Sequence, residues 1–179
     1  MYIAKTKISY PITLDGDVLF IKRTLSLELN DTEDDDFINT LIQPATELTE
    51  GQINQDIALT NNIVKLKDFS GTELVIPQGN FNAITSIMNN DSSTLITTYS
   101  TEKSYSEFKI VFDPTTTCKS MTINFTTGWT TLSQLPRALY LAILVKTSDL
   151  LWKQRGSYSA IYERLDSTWE TMCQQYKLL

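Results

Sequence analysis

Asp34, Asp35 and Asp36, which follow Glu33 directly in an unbroken run of carboxylates, form the densest group of side chains in this sequence that could do chemistry. Two acids act as general acid and general base only where their environments hold one protonated and the other ionised. They bind Ca²⁺ in a loop where oxygen ligands alternate around a glycine. This run has no alternation and no glycine, and an apolar pattern follows it, so it reads as the acidic first turn of a helix, where carboxylates face the positive end of the dipole. The chain has no His, which removes the commonest general base, the usual partner of a Ser or Cys nucleophile and the commonest transition-metal ligand. Cys118 and Cys173 lie far apart and in no CxxC unit, so they indicate neither a zinc site nor a redox motif, and two idle thiols are favoured over a disulfide. The six glycines are scattered singly, with no GxxxxGK or GxGxxG phosphate loop, and the many Ser and Thr residues lack a GxSxG elbow. No constellation supports a hydrolase built from Asp and Lys. The expectation is a protein that is not an enzyme, with no catalytic residue, no cofactor and no metal.

Aromatic residues are the alternative carriers of function, because they supply much of the hot-spot energy of protein interfaces. Tyr158, Tyr162, Trp169 and Tyr176 cluster at the C-terminal end. They either meet a partner or pack on the subunit's own core. Trp129, Tyr99 and Tyr105 would be the platform if the protein were instead a monomeric β-rich module that binds a carbohydrate or a peptide.

The elements that position these residues follow from periodicity. Tyr2 to Thr13 is β-branched and aromatic and contains Pro11, so it reads as an extended arm or an edge strand. A short helix is expected over 15–23. Asn30, Asp31 and Thr32 offer N-caps for a second helix over 32–50, whose Phe37, Ile38, Leu41, Ile42, Ala45 and Leu48 repeat at helical steps. Pro44 inside that pattern predicts a kink or a break near Ile42. Residues 51–127 change character, with β-branched residues between turn signals at Asn61-Asn62, Ser70-Gly71, Pro77 to Asn80, Asn89 to Ser93 and Asp113-Pro114, and a β layer is expected over 60–127. Strands are expected at Ile63–Leu66, Glu73–Ile76, Ala83–Asn89, Thr94–Tyr99, Phe108–Phe112 and Met121–Thr127, too closely spaced for crossover helices and therefore antiparallel. A long helix over 134–155 begins near Pro136 and ends near a Gly156 cap. A last helix spans Tyr158 to Tyr176.

The chain has 179 residues, of which 41% are hydrophobic and 20% charged, enough for one core or a core with an appendage. Fifteen Lys and Arg against 21 Asp and Glu give a net charge of -6, the wrong sign for a surface that grips nucleic acid. The charge is uneven: residues 1–50 carry ten acids and four bases, residues 130–179 four acids and six bases. The opening residues do not resemble a signal peptide. Leu135 to Trp152, the longest apolar-rich stretch, is interrupted by Arg137, Lys146 and Asp149, so no membrane partner is expected.

The order of these elements, and some of their wording, resembles the head-to-tail connector proteins of tailed bacteriophages, the head-completion or adaptor subunits beneath the portal. The residues that carry the resemblance are Thr122-Ile-Asn-Phe-Thr-Thr-Gly-Trp129, Leu135-Pro136, Ala138-Leu-Tyr-Leu-Ala-Ile-Leu144 and Leu150-Leu-Trp-Lys-Gln-Arg-Gly156. Upstream, Leu25-Ser-Leu-Glu28, Asp34-Asp-Asp-Phe-Ile38 with Ala45, Glu73-Leu-Val-Ile-Pro77 and Ile84-Thr-Ser-Ile87 look like the family's first helices and inserted β layer. The likeness covers residues 15–156; Pro44 and the segment before residue 14 depart from the pattern.

The resemblance implies an α+β fold. A small helical bundle (a short leading helix, an acidic-capped helix and a long C-terminal helix) would hold an inserted antiparallel β-sheet layer and carry a C-terminal helical extension. The chain would divide into an arm (1–14), a connector core (15–156) and a docking extension (157–179). It further implies a structural virion protein of the neck, assembled from host cytoplasm into a homo-oligomeric ring of twelve copies. Its partners would be the portal protein, a tail or next-ring protein, and DNA passing through the lumen during packaging and ejection without sequence-specific binding. By the same resemblance Tyr158, Tyr162, Trp169 and Tyr176, with Leu178 and Leu179 as an apolar plug, would dock on the portal. Asp34, Asp35 and Asp36 would line the lumen or pair with a neighbour's Arg or Lys.

Overall fold

The computed structural model describes residues 2–9, 18–24, 27–30, 32–104, 106–114, 118–154 and 160–177. The fold is mixed α+β, with four α-helices and two antiparallel sheets among the described residues. The chain divides into two compact units, one of Met1–Ser9 and Gln55–Thr130, the other of Tyr10–Asn54 and Thr131–Leu179.

The first unit holds the strands β1 (Tyr2–Ser9), β2 (Leu59–Lys67), β3 (Glu73–Ile76), β4 (Phe81–Asn89), β5 (Thr94–Leu95), β6 (Tyr99–Lys103), β7 (Phe108–Phe112) and β8 (Ser120–Thr127). They form a five-stranded sheet in the order β1-β2-β8-β4-β5 and a three-stranded sheet in the order β3-β7-β6. Alternation decides which side chains go inward. Met121, Ile123, Phe125 and Thr127 are buried on β8, and Phe108, Ile110 and Phe112 on β7. The registers set Val64 and Ile87 on either side of Ile123, and the inner faces of both sheets share one core. Within it Phe108 stacks on Phe81 at 4.1 Å and meets Phe125 edge-on at 4.9 Å.

The first segment, expected as an arm or an edge strand, is an edge strand: β1 pairs antiparallel with β2 from Tyr2↔Lys65 onward. Two sequence expectations are corrected here. The single strand expected over Thr94–Tyr99 is two strands in different sheets, because the chain leaves the first sheet after Leu95 and the Ile96 N–H bonds back to the Ile87 carbonyl at 2.8 Å. The Asn61-Asn62 turn signal lies inside β2, where the Asn62 side chain is buried and donates to the Thr127 hydroxyl at 2.7 Å. A partner across the sheet thus satisfies the amide that would otherwise favour a turn.

The second unit holds α1 (Val18–Thr24), α2 (Asp35–Ile53), a 3-10 turn (Leu132–Gln134), α3 (Arg137–Gln154) and α4 (Ala160–Gln174). The central helix is α3, which packs against α1, α2 and α4. Side chains from Ala142 through Asp149 are all buried, the mark of a helix covered on every side rather than on one stripe. Its polar residues settle locally: the Thr147 and Ser148 hydroxyls donate to the carbonyls four residues back, Ile143 at 2.9 Å and Leu144 at 3.0 Å.

Helix α2 departs from expectation in three ways. It runs unbroken through Pro44, so the break expected near Ile42 is absent. Pro44 lies on the exposed side, where loss of one backbone bond leaves a carbonyl to water, while Ile38, Leu41, Ile42, Ala45, Thr49 and Ile53 on the other side hold the axis. The N-cap is Asp34 rather than Asn30, Asp31 or Thr32, and its backbone is already helical (φ -86°, ψ -12°), so its side chain makes no capping bond. Phe37 and Leu48, assigned to the apolar stripe, are exposed. The helix ends at Asn54, whose left-handed φ of 57° lets its N–H reach the Glu50 carbonyl. The expected Gly156 cap lies outside the described residues.

Candidate assembly surfaces and the polar networks behind them

In the β unit one carboxylate organises the floor of the five-stranded sheet. Asp56 is buried, and its Oδ2 accepts from the Thr127 hydroxyl at 2.6 Å and from Gln78 Nε2 at 3.0 Å. Lys5 of β1 donates to Oδ1 at 3.0 Å and to Oδ2 at 3.2 Å, and Asn80 Nδ2 donates to the Asp56 backbone carbonyl at 3.2 Å. The network is fully supplied with donors, as a buried carboxylate requires, and it pins the edge strand to the sheet. Beside it the chain leaves β8 through Gly128, at a φ of 90°, and the Trp129 N–H bonds to the Ile57 carbonyl at 3.0 Å.

In the helical unit ion pairs reach into the interior at two places among the described residues. Lys22 of α1 is buried and pairs with Asp35 at the start of α2. On α3, Lys146 lies 3.0 Å from Asp149 and 2.7 Å from Asp166 of α4, and its ammonium sits 4.0 Å from the centre of the Trp169 ring. Asp149, with no exposed surface, takes a second cation from Lys153 at 3.0 Å. Burial pulls the Lys146 ammonium down, but hydrogen bonds to Asp166 and Asp149, together with their charges, outweigh it and leave its pKa above the ordinary lysine value. Cys173, buried near Lys146, is pushed up to about 11 by burial, against a partial lowering by the Lys146 charge. A thiol in such surroundings is unreactive, and both cysteines are free.

These contacts assign several of the residues singled out by sequence. Trp169 is 7% exposed and donates its indole N–H to Thr49 of α2 at 3.1 Å, so its side chain serves the chain's own helices. Tyr176 is half-buried just past α4. Tyr162 lies on the first turns of α4, its side chain outside the description, and Tyr158, Leu178 and Leu179 lie outside the described residues. The acidic run separates into three situations: Asp35 is taken by Lys22 of the same chain, Asp34 is the half-buried N-cap, and Asp36 is exposed. Tyr99 packs against the β core, Trp129 is half-buried, and Tyr105 lies outside the described residues.

The Lys146–Asp149–Asp166 group was missed by sequence reasoning. Its signal is the i,i+3 spacing of Lys146 and Asp149, with Lys153 four residues further on, inside an apolar helix; of these, Lys146 and Asp149 enter the sequence reading only as charges that interrupt the stretch Leu135 to Trp152. Among the described residues no three acidic or sulfur ligands are placed to hold a metal ion, and no helix is long and apolar enough to cross a membrane. Among the described residues of the helical unit, the exposed large hydrophobics are Leu19, Phe20, Leu29, Phe37 and Leu48.

No family model matches the sequence, and no curated protein matches it. The fold is found among solved structures. One chain of the virion of the native gene transfer agent (GTA) particle superimposes with a TM-score of 0.73 at 13% identity, over 100% of this chain and 96% of that one. A chain of the neck of the empty GTA particle, computed with C6 symmetry, matches with a TM-score of 0.65, and one of the neck of the native particle, computed with C12 symmetry, with 0.60. Both are 12% identical over 98% of this chain and 96% of theirs. At these identities the likeness is one of fold, and it runs the length of both chains: this protein has the fold of a component of gene transfer agent particles.

Proposed function

We propose that this protein is a structural subunit of the neck of a phage-like particle, a head-to-tail connector that forms a homo-oligomeric ring beneath the portal. The observation that carries the reading is the full-length likeness to GTA virion and neck chains, which includes both the β unit and the helical unit. A ring of twelve copies accords with the neck computed with C12 symmetry, while the other neck was computed with C6 symmetry. A closed cyclic ring is built from one heterologous contact repeated around the axis. In this reading the portal lies on one side, a tail or next-ring protein on the other, and DNA passes through the middle. A net charge of -6 suits a passage that must not hold DNA. The role is architectural and requires no catalytic group.

The portal contact falls to the C-terminal stretch, with Tyr158, Tyr162, Tyr176, Leu178 and Leu179 as its apolar and aromatic residues, while Trp169 holds that stretch to the helices. The test is native mass spectrometry of the purified protein, alone and mixed with the portal protein encoded in the same genome. The expected result is a portal-dependent complex that carries a full ring of copies. A monomer that ignores the portal overturns the reading and favours the small-ligand module.

A further inference from the structure

We propose that the exposed apolar stripe of α2 is the surface on which a second copy of this chain docks, and that it receives the α1 face of that copy. The proposal rests on the ring reading above and names its repeated contact.

Of the eight large hydrophobic side chains exposed among the described residues, five lie between residues 19 and 48, and none lies on α3 or on the described side chains of α4. Isolated exposed apolar residues are ordinary, but an aligned set of them marks an interaction surface. At about 100° per residue, Phe37, Pro44 and Leu48 fall within about 40° of one another on α2. Phe37 and Leu48 are 39% and 45% exposed, and Pro44 is exposed between them.

Beside this stripe runs a second exposed row, Asp36, Thr40, Gln43 and Glu47. It offers acceptors: the two carboxylates, and the Thr40 carbonyl, which Pro44 cannot serve because it has no N–H. The Thr40 hydroxyl is turned to the Phe37 carbonyl at 2.7 Å, and Gln43 donates to Glu47 at 3.2 Å. Helix α2 contains no base at all.

The α1 helix supplies the complement. Ile21 and Lys22 face inward, Lys22 to Asp35, while Leu19, Phe20 and Arg23 are exposed. Two apolar side chains with a guanidinium at their edge fit an apolar stripe with a carboxylate and carbonyl rim, since Arg carries five donors in a fixed fork. Two α2 stripes brought together would instead oppose Asp36 and Glu47 with like charges. A face that fits a different face of the same chain propagates head to tail, which is the contact a closed ring repeats.

The test uses the full chain with Leu48→Asp and Arg23→Glu as single variants, read by native mass spectrometry with the portal protein and by thermal melting. Both positions are exposed, so the melting temperature stays within about 2 °C of the parent. Ring formation is expected to fall at least about tenfold in each, and the triple variant Arg23→Glu, Asp36→Arg, Glu47→Arg to regain it. Should Leu48→Asp lower the melting temperature, oxidation of a mixture of Leu19→Cys and Leu48→Cys proteins decides the matter. A disulfide between the two different variants, with neither linking to itself, supports the contact. Self-linking of Leu48→Cys overturns it, as does a Leu48→Asp protein that forms rings as the parent does, or one that keeps its ring and loses only the portal. A parent chain that forms no ring under any condition overturns the ring reading itself, and this contact with it.

Discussion

The Trp169 indole donates to the Thr49 hydroxyl at 3.1 Å, across 120 residues of sequence, and the same hydroxyl donates to the Ala45 carbonyl at 2.8 Å. One threonine thus fastens α4 to α2 while remaining inside its own helix. Trp169→Ala, which also removes the ring under Lys146, is expected to cost about 3–5 kcal/mol. Thr49→Val leaves the indole N–H buried without an acceptor and costs about 1–3 kcal/mol. Urea unfolding checks both, and the double variant should cost less than the sum of the two singles.

Lys146 is the cation on which Asp149 and Asp166 converge. Lys146→Met leaves the fully buried Asp149 with Lys153 alone and is expected to destabilise the helical unit by about 3–5 kcal/mol, the cost of a broken buried pair. Lys146→Met with Asp149→Leu should recover most of that loss, because two apolar groups replace two charges. Chemical denaturation of the three proteins tests it.

Stability should fall at alkaline pH. Cys173 is raised from about 9.0 to about 11, so above pH 9 the unfolded chain loses that proton while the folded one keeps it, and the folded state loses ground as pH rises toward 11. Lys146, also raised, contributes stability that is present below the ordinary lysine value and lost as pH climbs through its folded one. Both act in the same direction. The expected outcome is an unfolding free energy that declines between pH 9 and pH 11, with a shallower slope in Cys173→Ala, measured by urea titration at several pH values.

Gly128 allows no side chain. Its φ is 90°, and a Cβ there would stand 2.2 Å from the Ala58 carbonyl oxygen. Gly128→Ala must move backbone rather than a flexible side chain, so a loss of more than about 3 kcal/mol is expected. A thermal melt within 2 °C of the parent would contradict this.

Adjacent acids should behave differently. Asp35→Lys sets a second cation against the buried Lys22 and is expected to lower the melting temperature by several degrees, or about 2–4 kcal/mol. Asp36→Lys, at an exposed position, should leave the melt unchanged within about 0.5 kcal/mol. Differential scanning calorimetry of the two variants separates a fold role from a surface role.

Much of the fold was legible because it is written at short range. Met121, Ile123 and Phe125 alternate, and β8 forms where that alternation runs; Glu73–Ile76 and Phe108–Phe112 are strands at the expected bounds. Ile38, Leu41, Ile42 and Ala45 repeat at helical steps, and α2 buries them. The failures share a cause. Thr94 to Tyr99 has uniform strand character, and nothing local says that the chain changes sheet after Leu95. Pro44 breaks a helix by a local rule, which the packing on the opposite face of α2 overrides.

The candidate surfaces divide in the same way. The residue pattern by itself determined which side chains are aromatic, acidic or apolar, at what period they recur, and that the chain has no His, no Gly-rich phosphate loop and no CxxC unit. Only the tertiary structure decided that Trp169 faces Thr49, that Asp35 faces Lys22 while Asp36 faces solvent, and that Phe37 and Leu48 are left uncovered. The reason is physical: periodicity states which side of a helix or strand is apolar, but the element that covers that side comes from a distant part of the chain.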